Sequence, residues 1–278
     1  MNKYLLKSLV YFKFIIFNLK NKIPSKPNKN SNIILIEFNA FQIIHVVYSV
    51  FCNFCFKKDY TTKFIAYYNY DVLVSNINKK IFNDFFWFIG KIFWLKNFGI
   101  YRSFGVDNFI RPKLNDYNLK KSKKIFEKKI RGLTKKKLAR LKLNGILIGD
   151  LLYDTYVKKY ELETLNTKDK NFYNLSIDFL LVFFFWSDYL KNRKIKKIVG
   201  VHTVYSYAII LRIALANKIE TLIINEECIS RLTKKNLFAN TDFKNFHKNF
   251  LKLSNKIRKK GLNISQDKLK KRLSGLAG

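Results

Sequence analysis

Short apolar runs separated by helix-length segments are the feature that most constrains the fold of this chain. Residues 33–37 and 63–68 flank a long apolar helical segment, and residues 195–201 and 221–225 flank a helix predicted over residues 205–216. Strands buried on both faces read as continuous apolar runs, and parallel strands need a crossover helix between them. The sequence therefore predicts an α/β protein with a Rossmann-like open, mostly parallel sheet and helices on both faces.

Flanking segments divide the chain into three predicted parts. Residues 1–31 combine a basic amphipathic helix with a linker rich in Pro, Asn and Lys that begins at residue 23. Residues 32–240 hold the Rossmann-like domain. Residues 241–278 form a helical end, in which Ser265 is expected to cap a short last helix.

The amino-terminal helix is apolar, but it contains Lys7 and Lys13. No uninterrupted apolar run approaches the roughly 20 residues that a membrane span needs, and the run over residues 179–186 is predicted to be a core helix instead. Two interpretations of the amino-terminal helix remain open, a helix lying in the membrane interface and a helix docked on the domain. We expect a cytoplasmic protein peripherally associated with the inner face of the cell membrane.

The charge of the chain is strongly positive, with 54 Lys and Arg against 19 Asp and Glu, a formal net charge of +35. Such an excess favours contact with nucleic acid or with an anionic membrane surface. The Lys excess accompanies many Asn, Ile, Phe and Tyr residues, which AT-rich codons encode, so dispersed and solvated Lys is the expected explanation. No RNA-binding signature, zinc finger or helix-turn-helix is found, and no specific nucleic-acid partner is expected.

Three cysteines bear on metal binding and redox chemistry. Cys52 and Cys55 form a lone C-x-x-C within a helix-like segment, and Cys228 stands apart. Zinc would need a second pair of ligands, and a redox pair would lie at the start of a helix. We therefore expect buried thiols in a reducing compartment, with no metal and no cofactor.

Candidate site residues follow the predicted strands, because ligands bind beyond the carboxyl ends of strands in an open parallel sheet. His202 comes directly after the strand at residues 195–201 and would act as a general base, donate to a substrate or satisfy loop carbonyls. Tyr205 offers a hydroxyl group to a sugar, and Glu37 ends the first strand. Arg212 lies on an otherwise apolar helix and requires a carboxylate or a bound phosphate.

A second group of candidates lies near residue 150. Gly149 would allow a tight turn into a helix, Asp150 would cap that helix, and Asp154 would lie one turn further along the same face. The two carboxylates would bind a sugar or a metal, or else serve as a cap and a salt bridge to Lys. We expect Asp150 and His202 to meet at the same edge of the sheet.

The order and spacing of these residues resemble those of a known family. The quoted motifs are Gly145-x-x-x-Gly149-Asp150-Leu-x-Tyr153-Asp154, then about fifty residues later Val201-His202-x-x-Tyr205, and then Arg212-x-Ala214. Together they are similar to the amino-terminal region of capsule and surface-polysaccharide biosynthesis proteins with glycosyltransferase-B-like architecture. The resemblance runs from about residue 33 to residue 225.

This resemblance implies two Rossmann-like domains that face a cleft, with the nucleotide-sugar donor bound by the second domain and the acceptor by the first. Seven residues would line or support the wall of the first domain: Gly149, Asp150, Tyr153, Asp154, His202, Tyr205 and Arg212. His202 or Asp150 would deprotonate the acceptor hydroxyl group. We expect the second domain, with most of the donor site, to be absent from this chain.

The expected function is therefore transfer of a sugar from a nucleotide-sugar donor to a lipid-linked or polysaccharide acceptor. The chain would be a hexosyltransferase or an inactive fragment of one. The alternative is a non-catalytic module that recruits polysaccharide enzymes to the membrane, and nucleic-acid binding is a third possibility that rests on charge alone.

Overall fold

The fold is known from a computed structural model that describes residues 3–24, 26, 31–39, 41–69, 73–225, 228–238 and 242–275. Contacts divide the chain into two compact units, Met1–Leu237 and Phe238–Gly278. Much of the predicted linker after residue 23, namely residue 25 and residues 27–30, lies outside the described residues.

Eight strands are described. They are β1 (Ile33–Glu37), β2 (Lys63–Tyr67), β3 (Val106–Ile110), β4 (Lys142–Leu143), β5 (Ile146–Leu147), β6 (Ile195–Gly200), β7 (Glu220–Ile224) and β8 (Ile229–Arg231). Six of them form one sheet in the order β3-β2-β1-β6-β7-β8, and β4 pairs with β5 in a small hairpin. All neighbours in the large sheet are parallel except β8, which runs antiparallel to β7. The predicted α/β class and mostly parallel sheet are confirmed.

Eleven α-helices accompany these strands within the described residues. They are α1 (Lys3–Asn21), α2 (Gln42–Lys58), α3 (Ile77–Ile92), α4 (Asn97–Ser103), α5 (Asp116–Ile125), α6 (Lys135–Ala139), α7 (Gly149–Tyr160), α8 (Lys170–Lys191), α9 (Ile209–Ala216), α10 (Asp242–Lys252) and α11 (Asn255–Leu273). A π-helical turn follows α5, and a 3₁₀ turn over Ser206–Ala208 precedes α9. Helices α10 and α11 belong to the second unit.

Strands β1 and β2 are largely apolar on both faces because helices cover the sheet on each side. On one face Ile34, Ile36 and Phe64 pack with residues of α2 and α4 in one buried cluster, which α1 also joins. On the other face the ring of Tyr67 meets Trp186 of α8 edge to face, with their centroids 5.8 Å apart. The apolar run predicted to be a core helix lies in α8 and is buried there, as expected.

Helix α1 is docked on the domain by both apolar and polar contacts. Tyr11, Phe14 and Ile15 pack against the core. The buried Asn18 amide donates to the hydroxyl oxygen of Ser103 at 3.1 Å and accepts from the hydroxyl group of Ser49 at 2.6 Å. The opposite face exposes apolar side chains, among them Leu9, Phe12, Ile16 and Leu19. Across the described part of the chain, no helix combines the length and apolarity needed to cross a membrane.

Two expectations drawn from single residues are wrong. Ser265 does not cap a helix, because it lies inside α11 and its hydroxyl group donates to the carbonyl oxygen of Gly261 at 2.8 Å. The cap of α11 is Ser254, which accepts from the amide of Ile257. The second wrong expectation is that the thiols are buried, because Cys228 is exposed. Cys52 is buried within α2, as expected, and burial raises the pKa of its thiol.

Candidate functional site

The candidate site lies where the direction of the strand order reverses. From β1 the chain proceeds outward through β2 to β3, and from the neighbouring β6 it proceeds the other way to β7 and β8. The carboxyl ends of β1 and β6 therefore border the crevice in which ligands bind to open parallel sheets. Glu37 is the last residue of β1, and His202 lies two residues beyond the end of β6.

A buried carboxylate occupies this crevice. The side chain of Glu37 is only 5% exposed. Its Oε2 accepts from the amide of Val201 at 2.7 Å, and its Oε1 lies 3.4 Å from Nδ1 of His202. A buried carboxylate requires such partners, because desolvation of an unpaired charge is costly. Gly200 permits the arrangement, since a Cβ there would lie 2.9 Å from the hydroxyl oxygen of Tyr67 and 3.3 Å from Oε2 of Glu37.

The imidazole of His202 is half-buried between two aromatic rings. Ring centroids of Phe41 and Tyr207 lie 6.1 Å and 5.4 Å from the imidazole. The hydrogen bond with Glu37 raises the pKa of His202 above its ordinary value, against the opposing effects of burial and of nearby Lys158. Because the carboxylate favours a proton on Nδ1, the neutral tautomer carries its lone pair on Nε2. Such a pair of residues is a stronger base than an isolated imidazole.

Tyrosine and histidine side chains that sequence reasoning missed support the loop after β1. The hydroxyl group of Tyr101 donates to the carbonyl oxygen of Glu37 at 2.6 Å and accepts from the amide of Asn39 at 3.1 Å. A ring nitrogen of His45 lies 2.9 Å from the carbonyl oxygen of Asn39, and burial lowers the pKa of His45. The sequence signal for this network is a single His within the largely apolar segment of α2. Tyr101 lies 64 residues from Glu37 in sequence, so its contact with Glu37 is not visible from the sequence.

The loop that follows His202 has a strained backbone. Tyr205 has a φ of 58°, in the left-handed region that bulky side chains rarely adopt. Its ring lies beneath the ammonium group of Lys158 from α7, with Nζ 4.1 Å from the ring centroid. Strained residues cluster at functional sites, where the surrounding structure holds them. Tyr205 and Lys158 thus flank the same edge as His202.

The predicted residues near position 150 form a separate group. Asp150 and Arg212 make a bidentate ion pair, with nitrogen to oxygen distances of 2.5 Å and 2.6 Å. Arg212 also donates to the carbonyl oxygen of Leu147 at 2.8 Å. The buried guanidinium of Arg212 therefore has a carboxylate partner within the chain, which is one of the two partners predicted from the sequence. Both oxygens of Asp150 are engaged, which argues against the predicted role of Asp150 as a base.

The remaining predicted residues of α7 have structural contacts. Asp150 does not cap the helix, because Ile148 holds the cap position without a side-chain hydrogen bond. Gly149 is required by close packing, since a Cβ there would lie 1.7 Å from the carbonyl oxygen of Leu138. The ring of Tyr153 lies under Nζ of Lys135, 4.9 Å from the ring centroid. Burial raises the pKa of Asp154, and the neighbouring Asp150 adds to this effect.

Asp150 lies eight residues before Lys158 on α7, which corresponds to about 12 Å along the helix axis. Lys158, near the other end of α7, lies over the ring of Tyr205. Asp150 is paired with Arg212, which ties α7 to α9, and His202 is paired with Glu37 at the edge of the sheet. The expected meeting of Asp150 with His202 stays a prediction. Among the described side chains, no cluster of three or more His, Cys, Asp or Glu residues could hold a metal ion.

Comparisons with known proteins identify no relative of this chain. No protein-family model, no curated protein and no solved structure matches the chain. The geometry around Glu37 and His202 therefore carries the functional argument.

Proposed function

We propose that this chain is a glycosyltransferase-type protein of bacterial surface-polysaccharide assembly, acting at the inner face of the cell membrane, and that its Rossmann-like domain binds the acceptor. The observation that carries the proposal is the pairing of His202 with the buried Glu37 at the reversal point of the sheet. A base placed in this crevice suits activation of a hydroxyl group. The resemblance of the sequence motifs to capsule biosynthesis proteins supports the same assignment.

In the proposed reaction, Nε2 of His202 accepts the proton of an acceptor hydroxyl group. The acceptor oxygen then forms a bond to the anomeric carbon of the donor sugar, and the bond from that carbon to the diphosphate breaks, with the electron pair leaving on the diphosphate. Glu37 stabilises the imidazolium that forms, as a carboxylate paired with a catalytic histidine does. Lys158 lies near the site and would attract anionic substrate groups.

The test is an assay of nucleoside diphosphate release with the full chain, a panel of nucleotide sugars, and lipid-linked and oligosaccharide acceptors. We expect acceptor-dependent release that His202→Ala lowers by about 10²–10⁴-fold, the range for removal of a general base. His247→Ala is the matched control, because His247 is exposed on α10 and should leave release unchanged. Equal activity of wild type and His202→Ala would remove His202 from the mechanism.

The second candidate function is a non-catalytic module that recruits polysaccharide enzymes to the membrane. It is favoured by the apolar outer face of α1, which the domain leaves exposed. Binding of wild type to anionic vesicles, without turnover in either wild type or His202→Ala, would support this candidate over the enzyme.

A further inference from the structure

Helix α3 presents a stripe of apolar side chains outward, while an ion-paired carboxylate lies on its less exposed face. The outward stripe consists of Ile81, Phe85, Phe88 and Ile92, which recur at helical spacing and are all half or more exposed. The less exposed face instead contains Lys80, Asn83, Asp84, Trp87 and Gly90. A surface helix of a globular protein shows the opposite arrangement.

Polar contacts fix this orientation. Asp84 forms ion pairs with Arg111, which directly follows β3, and with Lys80 at 2.7 Å. Arg111 is largely buried, donates to the carbonyl oxygen of Asn83 at 3.3 Å, and lies over the ring of Trp87. Rotation of α3 to bury its phenylalanines would break these pairs and leave Arg111 without its carboxylate partner. The outward position of the apolar stripe is therefore a property of the folded domain.

The turn after α3 continues the apolar surface. Phe93, Trp94 and Leu95 are three consecutive exposed apolar side chains. The turn lies against α1, because a Cβ at Gly99 would be 2.5 Å from the carbonyl oxygen of Trp94 and 3.5 Å from the side chain of Ile15. Exposed aromatic residues at such a turn are typical of the boundary between water and lipid.

An aromatic cavity of about 560 Å³ lies behind α3. Phe38, Tyr68 and Arg111, the residues directly following β1, β2 and β3, line it. Phe82 and Phe86 of α3 also line it, and both side chains are more than half exposed. The cavity therefore borders the apolar surface and could receive a chain from it.

Positive charges lie at both ends of α3. Lys79 lies in the first turn of α3, Lys91 in the last turn, and Lys96 in the turn that follows. Lys side chains beside an apolar surface extend their ammonium groups toward water or toward lipid phosphates. In a chain with a net charge of +35, this arrangement complements an anionic leaflet. The charge complementarity between these lysines and lipid phosphates favours a leaflet over a protein partner.

We propose that α3 and the turn over residues 93–96 insert into an anionic membrane leaflet, and that the aromatic cavity takes the hydrocarbon chain of a lipid from that leaflet. Exposed Phe and Ile side chains gain free energy on leaving water, and the lysines contact the lipid headgroups. The surface includes neither Glu37 nor His202, so the proposal holds whether or not the chain transfers a sugar.

The first test is flotation with vesicles of phosphatidylcholine and phosphatidylglycerol. The double substitution Phe85→Ser and Phe88→Ser should weaken binding at least tenfold, because these side chains are 57% and 63% exposed and lie in the apolar stripe. Phe246→Ser is the matched control, since Phe246 is 65% exposed but lies on α10. An unchanged melting temperature verifies folding of the variants. The α3 surface is tested in the presence of α1. Deletion of α1 would disturb the fold, because α1 packs on the core.

The second test uses lipids with brominated acyl chains, which quench tryptophan fluorescence at short range. In the variant Trp94→Phe, quenching should persist through Trp87, which lines the cavity. It should disappear when Trp87→Phe is added, because Trp186 is fully buried in the core.

Several outcomes would overturn the proposal. They are no binding of wild type to anionic vesicles, equal binding to phosphatidylcholine alone, and equal binding of the Phe85 and Phe88 variant. Absence of quenching in the Trp94→Phe variant, which retains Trp87, would refute entry of a lipid chain into the cavity. Self-association of wild type that the same phenylalanine substitutions abolish, without vesicle binding, would assign the surface to a second copy of the chain instead.

Discussion

Disruption of the ion pair between Asp150 and Arg212 should destabilise the first unit rather than abolish chemistry. The side chain of Arg212 is 3% exposed and that of Asp150 is 25% exposed. Removal of one partner from a buried pair costs about 3–5 kcal/mol, because the other charge is left without compensation. Since Arg212 keeps its hydrogen bond to the carbonyl oxygen of Leu147, we expect Asp150→Ala to cost the lower figure, about 3 kcal/mol.

The expected change in melting temperature follows from the size of the unit. A loss of 1 kcal/mol lowers the melting temperature of a domain of this size by about 2–4 °C, so Asp150→Ala should lower it by about 6–12 °C. Arg212→Met should cost less, because Asp150 can be hydrated after the guanidinium is removed. The double variant should recover part of the loss, with a coupling free energy of about 2 kcal/mol, since an apolar replacement of both charges is often tolerated.

Urea denaturation followed by tryptophan fluorescence measures the differences in the free energy of unfolding. Thermal unfolding measures the change in melting temperature. Glu127→Ala is the control, because Glu127 forms an exposed ion pair with Arg131 and should leave stability unchanged. If Asp150→Ala left the free energy of unfolding unchanged and instead abolished acceptor binding, Asp150 would be a functional carboxylate and the structural argument would be refuted.

Two further predictions concern the edge of the sheet and the start of α7. Glu37→Gln should lower the pKa of His202, because the carboxylate that raises this pKa is removed while burial and Lys158 still lower it. NMR titration of His202 measures this pKa, and an unchanged value would contradict the pairing with Glu37. In wild type, the raised pKa implies a stability contribution that is full below the unfolded pKa of about 6.5 and is lost as pH rises through the folded pKa. Gly149→Ala should cost about 1–3 kcal/mol or more in thermal unfolding, because its Cβ would overlap the Leu138 carbonyl oxygen; an unchanged melting temperature would refute this close contact.

The positions of Glu37 and His202 could be predicted because strand ends are visible in sequence. A strand buried on both faces must be apolar throughout, so the first polar residue after such a run marks its carboxyl end. The sheet then brings these ends to one edge. The pairing of the two residues was not predictable, because 165 residues separate them and only the order of β1 beside β6 makes them neighbours.

The group of Asp150 and Arg212 shows the same limit. Spacing indicated that Asp150 and Asp154 share a face of a helix, but it could not show that Arg212 of α9 would engage the first carboxylate. It also suggested a cap at Asp150 and at Ser265, because both residue types bond to backbone groups near helix ends. Such local preferences are weak, and neighbouring segments decide where a helix begins.

The sequence by itself determined the class of fold, because continuous apolar runs of strand length that alternate with helix-length segments indicate a parallel sheet covered by helices. Only the tertiary structure decided which face of α3 points outward. The helical period of its phenylalanines is the same whether they meet a core or a lipid, and the ion pair between Asp84 and Arg111, from distant parts of the chain, sets the orientation.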